Sequence, residues 1–296
     1  MKVLLFGKNG QLGRELQRAL RSLGEVIAVE TQSVEFCGDL GNLSGIADTV
    51  RAVRPDVVVN AAAWTDVDQA ETQSERAHLV NALAPGVLAQ ACSSVNAWCV
   101  HYSSDYVFDG SGNRPWRETD VPDPLNTYGR TKLEGDILVA EHCARHLIIR
   151  TSWLYSAHGG NFAKSILQRA RKNRVLQVVD DQTGAPTGAD LVADVTVRAI
   201  EKAVMHPELQ GLYHLAAGGE VTRHGYARFL IDRALAGGWE LEASAESVQA
   251  ISSNADANVA RRPPNSRLNT EKLQSAFGIV LPDWTVGVER LIGALR

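Results

Sequence analysis

Tyr128 and Lys132 stand four residues apart in Tyr128-Gly129-Arg130-Thr131-Lys132, a spacing that puts a phenol and an ammonium on one face of a helix. A free tyrosine titrates near pH ~10, too high for easy proton exchange at neutral pH, and a nearby Lys⁺ favours the phenolate. The same lysine can hold a ribose. Alone, such a pair is equally compatible with a solvated helix face. It gains meaning from Val100-His101-Tyr102-Ser103-Ser104-Asp105, which reads as a strand end, the place where open α/β sheets bind ligands. Ser104 is expected to donate to a substrate carbonyl beside Tyr128, whereas strand alternation turns Ser103 elsewhere. Asp105, in the plainest reading, caps the turn that follows. These residue types suit carbonyl reduction: a nicotinamide gives hydride, Tyr128 protonates the developing alkoxide, Lys132 tunes the tyrosine and Ser104 polarises the carbonyl. Electrostatic placement and general-acid work suffice for this chemistry, so no metal site is expected.

A second constellation opens the chain. Gly7-Lys8-Asn9-Gly10-Gln11-Leu12-Gly13 follows an apolar run and begins a helix. Glycines permit a tight turn whose backbone N–H groups approach a pyrophosphate, and the helix N-terminus adds positive potential. An ordinary strand–helix turn also contains glycines, but Glu30 closes the second strand, where an acid bonds the adenosine ribose. The expected cofactor contacts are therefore Gly7, Asn9, Gly10, Gln11, Leu12, Gly13 and Glu30. Glu30 repels a 2′-phosphate and favours NADH, while Lys8 offsets it, so NADH and NADPH both stay open.

The elements that must position these groups follow from periodicity. Strands are expected over 2–6, 25–30, 56–61, 97–103 and 147–152, with helices over 12–23, 46–53, 77–95 and 128–142. This alternation implies an α/β fold, a Rossmann-type doubly wound parallel sheet. Later come helices over 161–172, 190–205 and 285–295 and strands over 175–180 and 212–216. Residues 244–267, rich in Ser, Ala, Asn and Pro, read as a loop on a binding surface. We therefore expect an NAD(P)-binding domain over 1–150 with later returns near 175–217. Residues 151–296 should form mainly a smaller C-terminal substrate-binding lobe.

Composition excludes several classes. The 296 residues carry a formal net charge of -4 with no basic run, which argues against a nucleic-acid partner. No apolar stretch approaches the ~20 residues of a membrane span. Four cysteines, Cys37, Cys92, Cys99 and Cys143, show no CxxC spacing, and the eight histidines form no metal motif. Free thiols suit a reducing compartment, most simply the cytoplasm.

The spacing Gly7-x-x-Gly10-x-x-Gly13 departs from that of ordinary dehydrogenases and resembles the extended short-chain dehydrogenase/reductase superfamily. That resemblance implies cofactor contacts at Asp39 and Leu40, in an Asp-Leu pair beside the adenine. It implies others at Ala61, Ala62 and Ala63, whose small side chains let the backbone lie against the cofactor, and at Tyr128 and Lys132. Longer stretches are similar to the dTDP-4-dehydrorhamnose reductase family. They are Ser103-Ser104-Asp105-Tyr106-Val107-Phe108-Asp109-Gly110, Pro124-Leu125-Asn126-Thr127-Tyr128, Arg150-Thr151-Ser152-Trp153-Leu154-Tyr155, Asp181-Gln182-Thr183-Gly184-Ala185-Pro186-Thr187 and Asn265-Ser266-Arg267-Leu268-Asn269-Thr270. The resemblance implies reduction of the 4-keto group of dTDP-4-dehydro-β-L-rhamnose by NAD(P)H, the last step of dTDP-L-rhamnose synthesis for cell-surface polysaccharide. It also implies that Trp153 packs on the sugar and that Ser104, Asp105 and Tyr128 touch the substrate. The family usually has Thr at position 104; Ser keeps the hydroxyl.

Family members are often magnesium-dependent homodimers, and Glu15 and Asp190 are carboxylates that such a site would draw on. The tail helix offers Glu289 as its sole acid, which argues against a magnesium bridge here and keeps monomer and homodimer both open. Two rivals remain. A sugar-nucleotide dehydratase or epimerase shares the superfamily, but a dehydratase needs a second carboxylate where this chain has Tyr106. A nucleotide-binding regulatory subunit, like the relative that serves methionine adenosyltransferase, does not need an intact Ser104, Tyr128 and Lys132.

Overall fold

Six parallel strands form the central sheet of the computed structural model, which describes residues 1–253 and 259–296. They are β1 (Lys2–Phe6), β2 (Glu25–Val29), β3 (Val57–Asn60), β4 (Trp98–Ser104), β5 (His146–Thr151) and the late strand Gly211–Leu215. Their spatial order is β2-β1-β3-β4-β5 with Gly211–Leu215 at the far edge. The helices are α1 (Gln11–Ala19), α2 (Leu43–Val53), α3 (Val67–Thr72), α4 (Ser74–His78), α5 (Ala84–Val95), α6 (Thr127–His142), α7 (Phe162–Ala170), α8 (Ala189–Met205), α9 (Arg223–Ala236), α10 (Glu271–Phe277) and α11 (Trp284–Ala294).

Strands β3, β4 and β5 are buried along their whole length, which requires helices on both faces of the sheet. Alternation divides the side chains: Val3, Leu5, Val57, Val59 and Val100 join a core with α1 and α8. Leu4, Phe6, Val58, Cys99 and Ile148 join a second core with α2, α5 and α6. The chain runs from β1 outward to β2, then crosses to β3 on the opposite side of β1. The C-terminal ends of β1 and β3 thus flank the switch point, where such sheets bind ligands.

A third core lies outside this sheet. Helices α7, α9 and α11 pack around Tyr226, Leu230, Ile231, Val288 and Leu291. A two-stranded parallel ladder, Leu176–Val179 with Val248–Ile251, completes it. The return to the central sheet is made by α8 and Gly211–Leu215, whereas the strand near 175 pairs outside it.

Two expectations are corrected. The stretch 244–267 is not all loop, since Val248–Ile251 pairs with Leu176–Val179; residues 254–258 within it lie outside the described residues. The helix expected over 77–95 is interrupted by a π-helical segment, Leu79–Leu83, before α5 begins. Pro85 has no N–H to give the Asn81 carbonyl four residues back, so the regular ladder cannot run through. A Cβ on Gly135 of α6 would overlap that Asn81 carbonyl oxygen, and glycine there lets the two helices meet. Helices α3, α9 and α10 were not foreseen from periodicity.

Candidate active site

Gly7 leaves β1 with a φ of +85°, a conformation that glycine adopts without strain. A Cβ there would lie 2.7 Å from the Ala62 nitrogen, and a Cβ on Gly13 would overlap the Gly7 carbonyl oxygen. The turn is tied to the sheet by Gly7 and Lys8 N–H groups that donate to the Val29 carbonyl. Gly10, exposed, caps α1 without any side-chain hydrogen bond, so the first-turn N–H groups meet no capping side chain. A glycine-walled cradle with free backbone donors at a helix N-terminus fits a pyrophosphate.

Asn9 is exposed beside that cradle, and Glu30 stands directly after β2, next to the turn. The Gln11 side chain is committed elsewhere: its carbonyl oxygen accepts from Ser156 N–H at 3.0 Å and Asn161 Nδ2 at 2.9 Å, tying α1 to the lobe. Leu12 and Leu40 point into the cores, so any ligand meets their backbone alone. Asp39 is half-buried and accepts from Gly41 N–H at 2.9 Å. Ala61 and Ala62 are half-buried and Ala63 exposed, along the wall that Gly7 faces.

Helix α6 brings the chemistry to the same edge. Asn126 caps it by accepting from Gly129 N–H at 2.8 Å, and Glu71 accepts from Thr127 N–H at 2.7 Å and Thr127 Oγ1 at 3.0 Å. An acid at the positive end of a helix is favourable. Gly129 presses the helix onto the Tyr106 carbonyl oxygen, where any Cβ would overlap it. That close approach puts Tyr128 beside the end of β4, its ring edge-on to Tyr106 at 5.5 Å.

Ser104 ends β4; its hydroxyl donates to Asp105 Oδ1 at 3.0 Å and accepts from Tyr106 N–H at 3.2 Å. Ser103 faces away and donates to Asp136 at 2.9 Å. Lys132 is buried and donates to the Tyr102 carbonyl at 2.6 Å. Burial pulls its ammonium down to about 8, with Asp136 opposing. Burial pushes the Tyr128 phenol up; Ser104 pulls it down, and Asp105, Tyr106 and Asp136 push it further up. The phenol is therefore held protonated at neutral pH, the state in which an acid must start a reduction.

Removing the Ser104 hydroxyl tests its role. Ser104→Ala is expected to lower kcat roughly 100-fold, the scale of one lost oxyanion donor, while Ser104→Thr keeps most of the rate. Equal loss in both variants would assign the effect to packing.

Asp105 is 2% exposed, and burial raises its carboxyl from 3.8 to about 6 against the Ser266 and Ser104 hydroxyls and the Arg223 guanidinium. The folded protein thus holds this proton more tightly than the unfolded chain. The stability it contributes is present below the unfolded value and is lost as pH rises through the window from 3.8 to about 6. Asp105→Asn should therefore stabilise the fold at pH ~7.5 by on the order of 2 kcal/mol, and by nearly nothing at pH ~3.5. Thermal melts at the two pH values read the difference; a gain of the same size at both would refute this origin.

Trp153 follows β5 at a φ of +48°, a strained conformation for a non-glycine residue. Gly184 makes room on one side, where a Cβ would come 2.7 Å from the indole. The Arg223 guanidinium covers the ring at 3.7 Å from its centroid and also lies over Phe162 at 4.8 Å. Trp153, Phe162 and Arg223 line a cavity of about 260 Å³ that reaches Gln11. Sequence reasoning missed Arg223 because the pairing with Trp153 is non-local. It also missed the buried set His101, Asp136 and Arg150, in which Arg150 Nε donates to Asp136 at 3.0 Å.

The carboxylates that a magnesium site would draw on are engaged in ion pairs in this structure. Glu15 is engaged by Arg18 at 3.4 Å, Asp190 by Arg290 at 3.4 Å and Glu289 by Arg233 at 3.5 Å. Among the described residues no group of three or more His, Cys, Asp and Glu side chains gathers to hold a metal ion. Nor, among those residues, is any helix long and apolar enough to cross a membrane.

A pyrophosphate cradle at the switch point, with a Tyr-x-x-x-Lys helix against a strand-end hydroxyl, defines a nicotinamide-dependent reductase of the short-chain dehydrogenase type. Residues 1–296 match the family described as the RmlD substrate binding domain. Over 295 residues the chain is 52% identical to a dTDP-4-dehydrorhamnose reductase of Shigella flexneri, covering 100% of this chain and 98% of that one. The chain belongs to the dTDP-4-dehydrorhamnose reductase family. Among solved structures, the reductase of Clostridium acetobutylicum superposes with a TM-score of 0.90 at 33% identity, covering 100% of this chain and 99% of that one. That of Bacillus anthracis, solved in complex with NADP, gives 0.86 at 29% identity, with 98% of each chain covered.

Proposed function

We propose that the protein reduces the 4-keto group of dTDP-4-dehydro-β-L-rhamnose to dTDP-L-rhamnose, using NADH or NADPH and acting in the cytoplasm as a monomer or homodimer. The observation that carries this reading is the meeting of Ser104, Asp105 and Tyr128 at the end of β4, with Trp153 one strand away. The cytoplasm suits the four cysteines, which are all free. We assign Gly7, Asn9, Gly10, Gln11, Leu12, Gly13, Glu30, Asp39, Leu40 and Ala61 to Ala63 to the cofactor, several of them through backbone alone. Residues 1–150 supply most of that platform, and the lobe after residue 150 supplies Trp153 and Arg223 for the sugar nucleotide.

When bound, the nicotinamide supplies hydride to the carbonyl carbon. Ser104 Oγ, whose proton rests on Asp105 in the free protein, turns it toward the carbonyl oxygen and polarises the bond. Tyr128 gives its phenolic proton to that oxygen as negative charge develops there. Lys132, suspended from the Tyr102 carbonyl, stabilises the phenolate that remains. Tyr106, standing where a dehydratase needs its second carboxylate, leaves no base for elimination.

Oxidation of NADH and of NADPH, followed with the 4-keto sugar nucleotide made in situ, with and without EDTA, tests the reading. Net consumption of added cofactor supports reduction, whereas redox-neutral turnover points to an epimerase or dehydratase. Undiminished rate in EDTA agrees with the ion-paired state of Glu15 and Asp190.

A further inference from the structure

Around Lys132 lies a set of buried polar groups that the proposed reaction does not touch: Asn60, His101, Ser103, Asp136 and Arg150. Their hydrogen bonds fix the tautomer of His101. Ala62 N–H donates to Asn60 Oδ1 at 3.2 Å, so the amide nitrogen of Asn60 faces His101 Nδ1, 3.3 Å away. Nδ1 therefore accepts. Burial and the Lys132 charge hold His101 well below its ordinary pKa, so the ring is neutral and its single proton sits on Nε2.

Nε2 lies 3.4 Å from Lys132 Nζ and 3.9 Å from Asp136 Oδ1. An imidazole N–H and an ammonium are both donors, so they compete for an acceptor rather than bond to each other. Asp136 Oδ2 is already taken by Ser103 Oγ at 2.9 Å and Arg150 Nε at 3.0 Å. Asp136 Oδ1 has no hydrogen-bond partner among the described residues. It is an open carboxylate oxygen near Nε2 whose charge favours the Lys132 ammonium, and a buried carboxylate would draw an unopposed ammonium into a closed ion pair.

We infer that His101 is a positioning residue for Lys132: its Nε2–H, locked by Asn60, holds the ammonium off Asp136 and leaves it hanging from the Tyr102 carbonyl, available to a ribose and to Tyr128. The lock begins at Ala62 N–H, in the wall against which Gly7 packs, so cradle and lysine share one hydrogen-bonded chain. The inference rests on the reductase reading for what Lys132 serves, but the tautomer itself does not.

Imidazole ¹⁵N shifts of the wild-type protein should show His101 as the neutral Nε2–H form; an Nδ1–H form overturns the inference before any variant is made. Asn60→Asp keeps the acceptor for Ala62 but offers His101 a carboxylate, so the imidazole proton should move to Nδ1 and the Nε2 lone pair should face Lys132. NADPH affinity, measured by calorimetry without sugar, should then fall about tenfold. His101→Phe should show a similar loss, and His101→Gln, which returns an N–H near the Nε2 position, should recover most of it. The KM for the sugar should stay within about twofold throughout. Wild-type affinity in a folded His101→Phe or in Asn60→Asp, or a Gln variant no better than Phe, refutes the positioning role. A wild-type protein that fails to oxidise NADPH with the sugar would instead sink the reductase reading and leave the tautomer result standing.

Discussion

Tyr128→Phe is expected to lower kcat by about 10³-fold while leaving NADPH affinity within about twofold of wild type, because the proton donor alone is lost. The aromatic ring stays, with its edge contact to Tyr106 at 5.5 Å, so neither α6 nor the end of β4 has reason to move. The proposed pyrophosphate cradle is built from the β1 turn and α1, whereas Tyr128 stands on α6. Losing a positioned general acid typically costs about 10²–10⁴-fold, and the expected loss sits in the middle of that range. Burial holds the phenol protonated, and Asp105, Tyr106 and Asp136 strengthen that effect. An alkoxide is a far stronger base than a phenolate, so transfer still runs downhill. Stopped-flow NADPH oxidation with the keto sugar measures kcat, and calorimetry measures the cofactor. A variant at wild-type rate would remove Tyr128 from the mechanism; a parallel collapse of rate and affinity would mean that it shapes the cofactor site instead.

The parts of this site that were legible in the sequence are those that local spacing determines. The turn Gly7 to Gly13 lies within one strand–helix junction, and Tyr128 and Lys132 lie within one helix turn. Ser104 and Ser103 separate by simple alternation, and the structure sends one to the strand end and the other to Asp136. What was not legible depends on pairings made across the fold. Arg223 acquires meaning once it covers Trp153, and His101 once Asn60 and Lys132 stand on either side of it. Helix α9 carries apolar Tyr226, Ala227, Leu230, Ile231 and Ala234 at helical spacing, but Arg223, His224, Arg228 and Arg233 interrupt the run and masked it. Val248–Ile251 is too short to announce a strand, and its partner Leu176–Val179 is brought to it by tertiary packing. Leu12 and Leu40 were expected beside the cofactor, yet their side chains serve the core, a distinction that motif spacing does not carry.

Gly13→Ala should damage both the fold and the cradle. Inside a helix, alanine is intrinsically favoured over glycine by about 1 kcal/mol, so propensity alone predicts a more stable protein. The structure predicts the opposite sign. The new Cβ would overlap the Gly7 carbonyl oxygen and lie 3.1 Å from the Lys8 carbonyl carbon. Both obstacles are backbone and cannot rotate aside. The turn cannot retreat either, because Gly7 and Lys8 are anchored to Val29 and Gly7 is packed against Ala62. The helix must therefore back away from the turn, carrying its first-turn N–H groups off the pyrophosphate. A stability loss of roughly 1–3 kcal/mol, typical of overpacking, and a rise in the NADPH Kd of at least about tenfold are expected together. Gly10→Ala supplies the contrast: its Cβ would meet the same oxygen at 3.4 Å, an ordinary contact, and Gly10 is exposed. That variant should melt like wild type and lose cofactor affinity alone, since its methyl faces the ligand rather than the fold. If Gly13→Ala melted at or above wild type, helix propensity would have won, and the close approach of α1 to the turn would not be what shapes the cradle.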